Sequence, residues 1–414
     1  MSSKRDTFLV LKNRDFRLFI TGRLVMTIAT QIQSVIVGWQ LFKLTGDPLS
    51  LGFIGLAEAL PFFVVSLYAG HVADIISRRK IILFCVSILF FCGLALTYFS
   101  MDMNVELLLN TRLPIYFIIG ITGLARGFIT PANFAFMPQL IERKDYSKAI
   151  SWSSTAWQTG AVAGPAMSGI IFGFSSFRTT YLIVSGLILL SFVLYLLIPS
   201  RPVPPHNPDI GMKVKILEGL QFVFSNQIIL GALCLDLFAV LFGGAVALLP
   251  VFAKEILNVG AEGLGILRAA PAIGAIVMAI FLAYRPMQQN AGKKLLWSVA
   301  GFGACMISFA LSKNFILSFS LLLLSGIFDS VSIIIRSTLI HTLTPENMKG
   351  RVSAVNSIFI GSSNEIGAFE SGVAAKLMNT IPSVIFGGCM TILVVIITAT
   401  KAKKLFHLNL SDKE

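Results

Sequence analysis

The sequence predicts an all-α polytopic membrane protein, with twelve transmembrane helices in two pseudo-symmetric six-helix bundles. Three observations predict it. The 414-residue chain is 55% hydrophobic and only 13% charged, with a mean hydropathy of +0.82, a balance outside the range of soluble globules. Its apolar residues gather in runs long enough to cross a bilayer as helices, without the alternation a membrane barrel requires. Its two halves also repeat each other. Leu51–Pro61 reads like Ala261–Pro271 at an offset of 210 positions, with Gly55 on Gly265 and Pro61 on Pro271. Gly123–Arg126 reads like Gly326–Asp329 at an offset of 203, with Gly164 on Gly367 and Gly169 on Gly372.

In chain order the spans are expected near 16–42, 50–73, 81–100, 113–137, 148–174 and 177–199, then 227–252, 261–285, 295–312, 315–341, 352–379 and 382–400. Short loops make consecutive spans antiparallel neighbours. The domains are therefore 1–199, a first bundle; 200–226, a cytoplasmic linker; and 227–414, a second bundle with a short tail. The linker opens with the stiff Arg201-Pro202-Val203-Pro204-Pro205. It continues through Met212–Phe224 in a pattern that suits an amphipathic helix on the inner membrane surface.

Net charge is +13, yet its distribution argues against nucleic acid. Of the 33 Lys and Arg, Lys43, Arg112, Arg178, Lys254, Lys313 and Lys376 lie in outer loops. Arg23, Arg126, Arg268 and Arg336 lie within spans. All the others fall on the opposite side, so the positive-inside rule sets both termini in the cytoplasm. No cleavable signal precedes the first span, whose apolar run is too long for one. The five cysteines (Cys85, Cys92, Cys234, Cys305, Cys389) fall within spans and form no CxxC, which reads as apolar filling. The four histidines are scattered without zinc-type spacing, so no metal is expected.

Charges inside spans carry most of the functional information. Arg23, Glu58, Arg126, Asp236, Arg268, Asp329, Glu365 and Glu370 all lie well within them. Each costs roughly 2.5–3.5 kcal/mol at a helix centre unless paired or wetted. They either line a wet path or hold the bundle as static ion pairs. Between the repeats the signs invert: Glu58 falls on Arg268, and Arg126 falls on Asp329. Glu58 lies eight residues in from Ser50, about 12 Å along a helix, and Arg268 occupies the equivalent depth. Opposite signs at one depth suit a contact between the halves. A proton carrier must be a carboxylate able to go neutral in an apolar site; the candidates are Asp236 and Asp329, then Glu58 and Glu370, with Arg126 tuning them.

Several motifs resemble the major facilitator superfamily. The loop Gly70-His71-Val72-Ala73-Asp74-Ile75-Ile76-Ser77-Arg78-Arg79-Lys80 matches that family's pattern at Gly70, Asp74, Arg78 and Arg79, and departs from it at Ile75 and Ser77. The resemblance implies that these residues latch the two halves on the cytoplasmic side; a plain positive-inside anchor would also explain the basic residues. Span five holds Gly160, Gly164, Pro165 and Gly169 in a pattern similar to the antiporter motif of exporters in that family, and small residues on one face let backbones touch. Arg126 in span four, Pro138–Ile141 and Leu217–Val223 look closest to its siderophore- and macrolide-exporting branch.

That resemblance implies that Glu58 and Arg268 form an outer gate, and that spans one, four, seven and ten line a central cavity. Its substrate-facing residues would be Arg23, Gln31, Gln33, Arg126, Phe238, Phe242, Phe328 and Ser332. It implies a bacterial inner-membrane secondary exporter, working by alternating access. An amphipathic small molecule, a siderophore or drug-like compound, would leave in exchange for protons. The proton gradient would be the energy source and no cofactor is expected. It would act as a monomer in the lipid bilayer, with periplasmic or outer-membrane export partners compatible with the reading. An organic-anion carrier or importer and a non-transporting sensor stay open. A membrane enzyme is disfavoured, because no HExxH, GxSxG or Walker A sequence is present.

Overall fold

Every described element of the chain is helical, and no β-strand occurs among the described residues. The structure is a computed structural model that describes residues 8–101, 111–142, 145–202, 212–243, 245–284, 290–345, 348–406 and 408. It divides into two compact units: Met1–Leu44 with Ala57–Asn207, and Thr45–Leu56 with Pro208–Glu414.

The long helices are α1 (Arg14–Thr45), α2 (Pro48–Ile75), α3 (Arg78–Phe99), α4 (Leu113–Phe136), α5 (Tyr146–Gly173) and α6 (Phe177–Leu196), followed by a linker helix (Met212–Ser225). Then come α7 (Gln227–Phe242), α8 (Gly260–Tyr284), α9 (Ala291–Leu311), α10 (Phe315–Leu343), α11 (Lys349–Met378) and α12 (Thr380–Lys401). Beyond α7 the backbone tightens into a 3-10 turn, Ala245–Leu248, then loosens into a π turn, Phe252–Ile256. Starts and reversals follow local chemistry. Asn226 and Asn314 accept hydrogen bonds from the first free N–H groups of α7 and α10. Asn379, at φ 70°, lets the chain turn from α11 straight into α12.

Among the described residues, ten of these helices are long and apolar enough to cross a membrane, α7 being counted on through the turns to Ile256, which makes the chain a multi-pass membrane protein. The two long helices outside that set are α5, whose Ser, Thr and Gln lower its hydropathy, and α11, which carries Glu365, Glu370 and Lys376 as well as Ser and Asn. Outward faces are apolar: Phe84, Phe91 and Tyr98, each two turns apart on α3, form one exposed stripe. Such surfaces are stable against hydrocarbon but not against water.

Within the first unit, small residues set the helix spacing. A Cβ at Gly160 would meet Thr27 of α1 at 2.7 Å, and one at Gly164 would meet Gln31 Cβ at 2.5 Å. One at Gly93 of α3 would meet Ser185 Oγ of α6 at 2.6 Å. Where a lipid environment removes the hydrophobic drive between helices, close backbone approach and polar links supply the attraction. Tyr181 donates to Gln40 Oε1 (2.7 Å), Gln40 donates to Ser100 Oγ (3.1 Å), and Ser191 donates to the Gly22 carbonyl (2.8 Å). Phe19 packs edge-on against both Phe136 and Tyr195, with centroids 6.0 Å apart in each pair.

The second unit repeats these contacts. Gly303 of α9 lies 210 positions after Gly93, and Gly388 of α12 lies 203 positions after Ser185. These two residues again meet, with a Cβ at Gly303 falling 3.0 Å from the Gly388 carbonyl oxygen. Gly367 of α11 packs on Leu241 of α7 as Gly164 packs on α1. Gly326 of α10 abuts the Pro271 carbonyl of α8, as Gly123 of α4 abuts the Glu58 carbonyl of α2.

Two segments join the second unit by contact. The first turns of α2 do so because Gly52 and Gly55 sit against Phe369 and Ala368 of α11. Lys376 also reaches Asp47 at 3.2 Å. The linker helix does so through Val223, which is fully buried among Ile229, Leu233, Val352 and Val355. Glu218 of the same helix forms an ion pair with Arg351.

Candidate functional site

Charges inside the helices of each unit form separate centres. In the first unit Glu58 of α2 is ion-paired with Arg126 of α4. The crossing explains the meeting. Gly123 lies one turn before Arg126 and lets α4 rest on the Glu58 backbone itself, which brings the two side chains within reach. The pair is only partly covered, with side-chain exposures of 18% for Glu58 and 47% for Arg126. Arg23 of α1 donates to Ser153 Oγ of α5. Gln33 is buried, and Gln31 is the residue that Gly164 abuts. Gly160, Gly164 and Pro165 thus lie on or beside the α1–α5 contact, and Gly169 is buried further along α5.

The loop residues after α2 divide. Arg79 donates to the carbonyls of Leu196 (2.6 Å) and Tyr195 (3.4 Å), satisfying acceptors at the end of α6. A cation there also meets the negative end of that helix dipole. Arg78 is buried in the first turn of α3. Gly70 and Asp74 belong to the last turns of α2, and their side-chain positions lie outside the described residues.

In the second unit Asp236 of α7 is ion-paired with Arg336 of α10, and both side chains are buried. A charged pair this enclosed is held by geometry, because removing either member strands the other. Beside it lies a cavity of about 10 Å³ lined by Asp236, Val240, Phe302, Phe328, Asp329 and Ser332, among others. That is room for about one water molecule. Phe238 stacks on Phe242 at 6.4 Å, and Phe242 meets Phe386 edge-on at 6.3 Å. Arg268 has Glu365 of α11 as its charged neighbour. Glu370 is partly buried on the same helix. Among the described residues no group of three or more His, Cys, Asp or Glu is arranged to hold a metal ion.

Of the expected residues, the structure brings together Glu58 with Arg126, and Asp236 with Asp329, Phe328 and Ser332. Glu58 belongs to the first unit, whereas Arg268 and Glu370 belong to the second. Arg336 had no role in the sequence reading. The available signal was its place in span ten, seven residues or two helical turns after Asp329. A buried arginine there requires an acid at similar depth, and Asp236 is one.

Relatives give the arrangement a context. The chain is 24% identical over 377 residues to the enterobactin exporter EntS of Salmonella typhi, covering 90% of this chain and 88% of that protein. Against EntS of Escherichia coli O1:K1 it is 24% identical over 372 residues, covering 89% and 87%. Its fold matches a POT family transporter crystallised with 5-aminolevulinic acid, with a TM-score of 0.74 at 11% identity over 95% of this chain and 97% of the other. It also matches a bacterial homologue of the iron transporter ferroportin in an inward-facing state, with a TM-score of 0.71 at 17% identity over 95% and 99%. These proteins are transporters and not enzymes. The family model for the Major Facilitator Superfamily matches residues 19–368, and the chain belongs to that superfamily.

Proposed function

We propose that this protein is a secondary active exporter that moves an amphipathic small molecule out of the cell in exchange for protons. The observation that carries the reading is a charge centre inside each repeated half, in a chain similar over nine-tenths of its length to enterobactin exporters. Acids and bases held within apolar helices are costly, and proton-driven carriers put that cost to use. A siderophore or a drug-like compound is the cargo class, because the similarity runs toward exporters of that kind.

In this reading all twelve long helices cross the bacterial inner membrane, α5 and α11 included, and both termini are cytoplasmic. Two six-helix halves alternate access to a central cavity. Arg23, Gln31, Gln33, Arg126, Phe238, Phe242, Phe328 and Ser332 face the cargo along its route, Glu58 and Arg268 gate the outer side, and Asp74 with Arg78 and Arg79 latches the inner side. The carrier works as a monomer.

The test compares metabolites in the medium of cells with and without the gene. A compound that is missing from the medium and accumulates inside the deletion strain, with both effects reversed by the restored gene, identifies the cargo. Inverted vesicles then report direction: adding that compound dissipates a proton gradient if the carrier exports. A deletion strain with unchanged medium and cell contents removes the exporter reading.

A further inference from the structure

We infer that Asp329 is the residue that takes up and releases the transported proton, and that Arg336 is the positioning residue that keeps the neighbouring Asp236 charged and out of that role. This rests on the proton-exchange reading above and deepens it.

The charges of the two halves do not pair off alike. The repeat places Glu58 on Arg268 and Arg126 on Asp329, with every sign inverted. In the first unit the matched pair is closed, since Glu58 and Arg126 neutralise each other. In the second unit the matched positions are not paired in this way. Arg268 has Glu365 as its charged neighbour, and Arg336 is taken by Asp236. Asp329 is left as the odd charge: among the described residues it has no hydrogen-bond or ion-pair partner.

Its surroundings are built for a neutral group. Asp329 lines the small cavity with Asp236, Ser332, Phe328 and Phe302. From α7 the facing titratable group is Asp236, and Arg336 of α10 reaches this cluster only through its ion pair with Asp236. α9 contributes Val299 and Phe302, neither of which titrates. α8 carries Arg268, and α11 carries Glu365 and Glu370. The cavity lining holds two carboxylates, Asp236 and Asp329, and one guanidinium is paired to the first; Arg268, Glu365 and Glu370 are not among the lining residues, so a single proton makes this cluster neutral. Arg336 is committed to Asp236, and that proton goes to an oxygen of Asp329. The cavity leaves room for about one water beside the Asp329 side chain.

The test reads carboxyl protonation directly, with purified full-length protein and no cargo. Infrared spectra at neutral pH are expected to show the C=O stretch of one protonated carboxylic acid, with the isotope shift of an exchangeable proton in D₂O. Asp329→Asn removes the band. Asp329→Glu moves it to the position of a glutamic acid, whereas Asp236→Glu leaves it in place. Arg336→Gln adds a second band, because two acids then lack a shared counter-charge. A band that stays put in Asp329→Glu, or moves in Asp236→Glu, overturns the assignment, as does its absence from the wild type. A single band in Arg336→Gln overturns the role given to Arg336. Because no transport is measured, failure here leaves the exporter reading to be judged by its own experiment.

Discussion

Gly164 of α5 rests on Gln31 of α1 so closely that a methyl group added at the glycine would lie 2.5 Å from Gln31 Cβ and 3.0 Å from the Ile28 carbonyl oxygen. One partner there is backbone, which cannot rotate away as a side-chain tip can. Gly164→Val is therefore expected to lower the stability of the detergent-purified protein by about 1–3 kcal/mol, the usual cost of overpacking. Gly186→Ala is the control, since nothing lies within 4 Å of its added carbon. Thermal unfolding of the two variants side by side checks this; equal midpoints would mean that the α1–α5 contact is loose.

Asp236 and Arg336 should behave as a buried pair. Replacing Arg336 alone by Ala strands a carboxylate and is expected to cost about 3–5 kcal/mol, whereas Asp236→Leu with Arg336→Met should recover most of that loss. Equilibrium unfolding of the single and double variants gives the coupling. Additive losses would show that the two side chains do not depend on each other.

For Glu58 the local partner is Arg126. Glu58→Arg and Arg126→Glu are each expected to impair secretion of the cargo, and the double swap to restore it. The stability effect should stay below about 1 kcal/mol, because the arginine is half-exposed. The swap of Glu58 with Arg268 tests the proposed outer gate in the same assay. Rescue by one swap and not the other identifies which cation Glu58 depends on during transport.

The linker helix is docked on α11 through Gly219, whose added Cβ would sit 2.9 Å from the Arg351 carbonyl oxygen, and through the Glu218–Arg351 ion pair. Gly219→Leu should lift the helix away and expose the segment 200–226 to protease. Faster cleavage there, with the rest of the chain intact, is the expected outcome. An unchanged digestion pattern would mean that Val223 alone holds the helix in place.

The helices, their order and the internal repeat were legible in the sequence. Apolar run length and the offsets of 210 and 203 act locally or through periodicity. The same offsets reappear as the contacts of Gly93 with Ser185 and of Gly303 with Gly388. The more polar α5 and α11 are expected near 148–174 and 352–379, and their Gly-rich stretches repeat each other.

What the sequence by itself determined was which residues lie along each helix, and that acids and bases lie among them at matched positions in the two halves. Only the tertiary structure decided which charges meet. The chain shows that a buried arginine such as Arg336 needs an acid but not which one, and it does not single out Arg126 for Glu58; the crossing of α4 on α2 at Gly123 sets the Glu58–Arg126 pairing, and the packing of α7 against α10 sets that of Asp236 with Arg336. The reason is physical. Periodicity reports the face a residue occupies, whereas ion pairing depends on a few ångströms of separation between faces, and these are set by how closely glycines allow two backbones to approach.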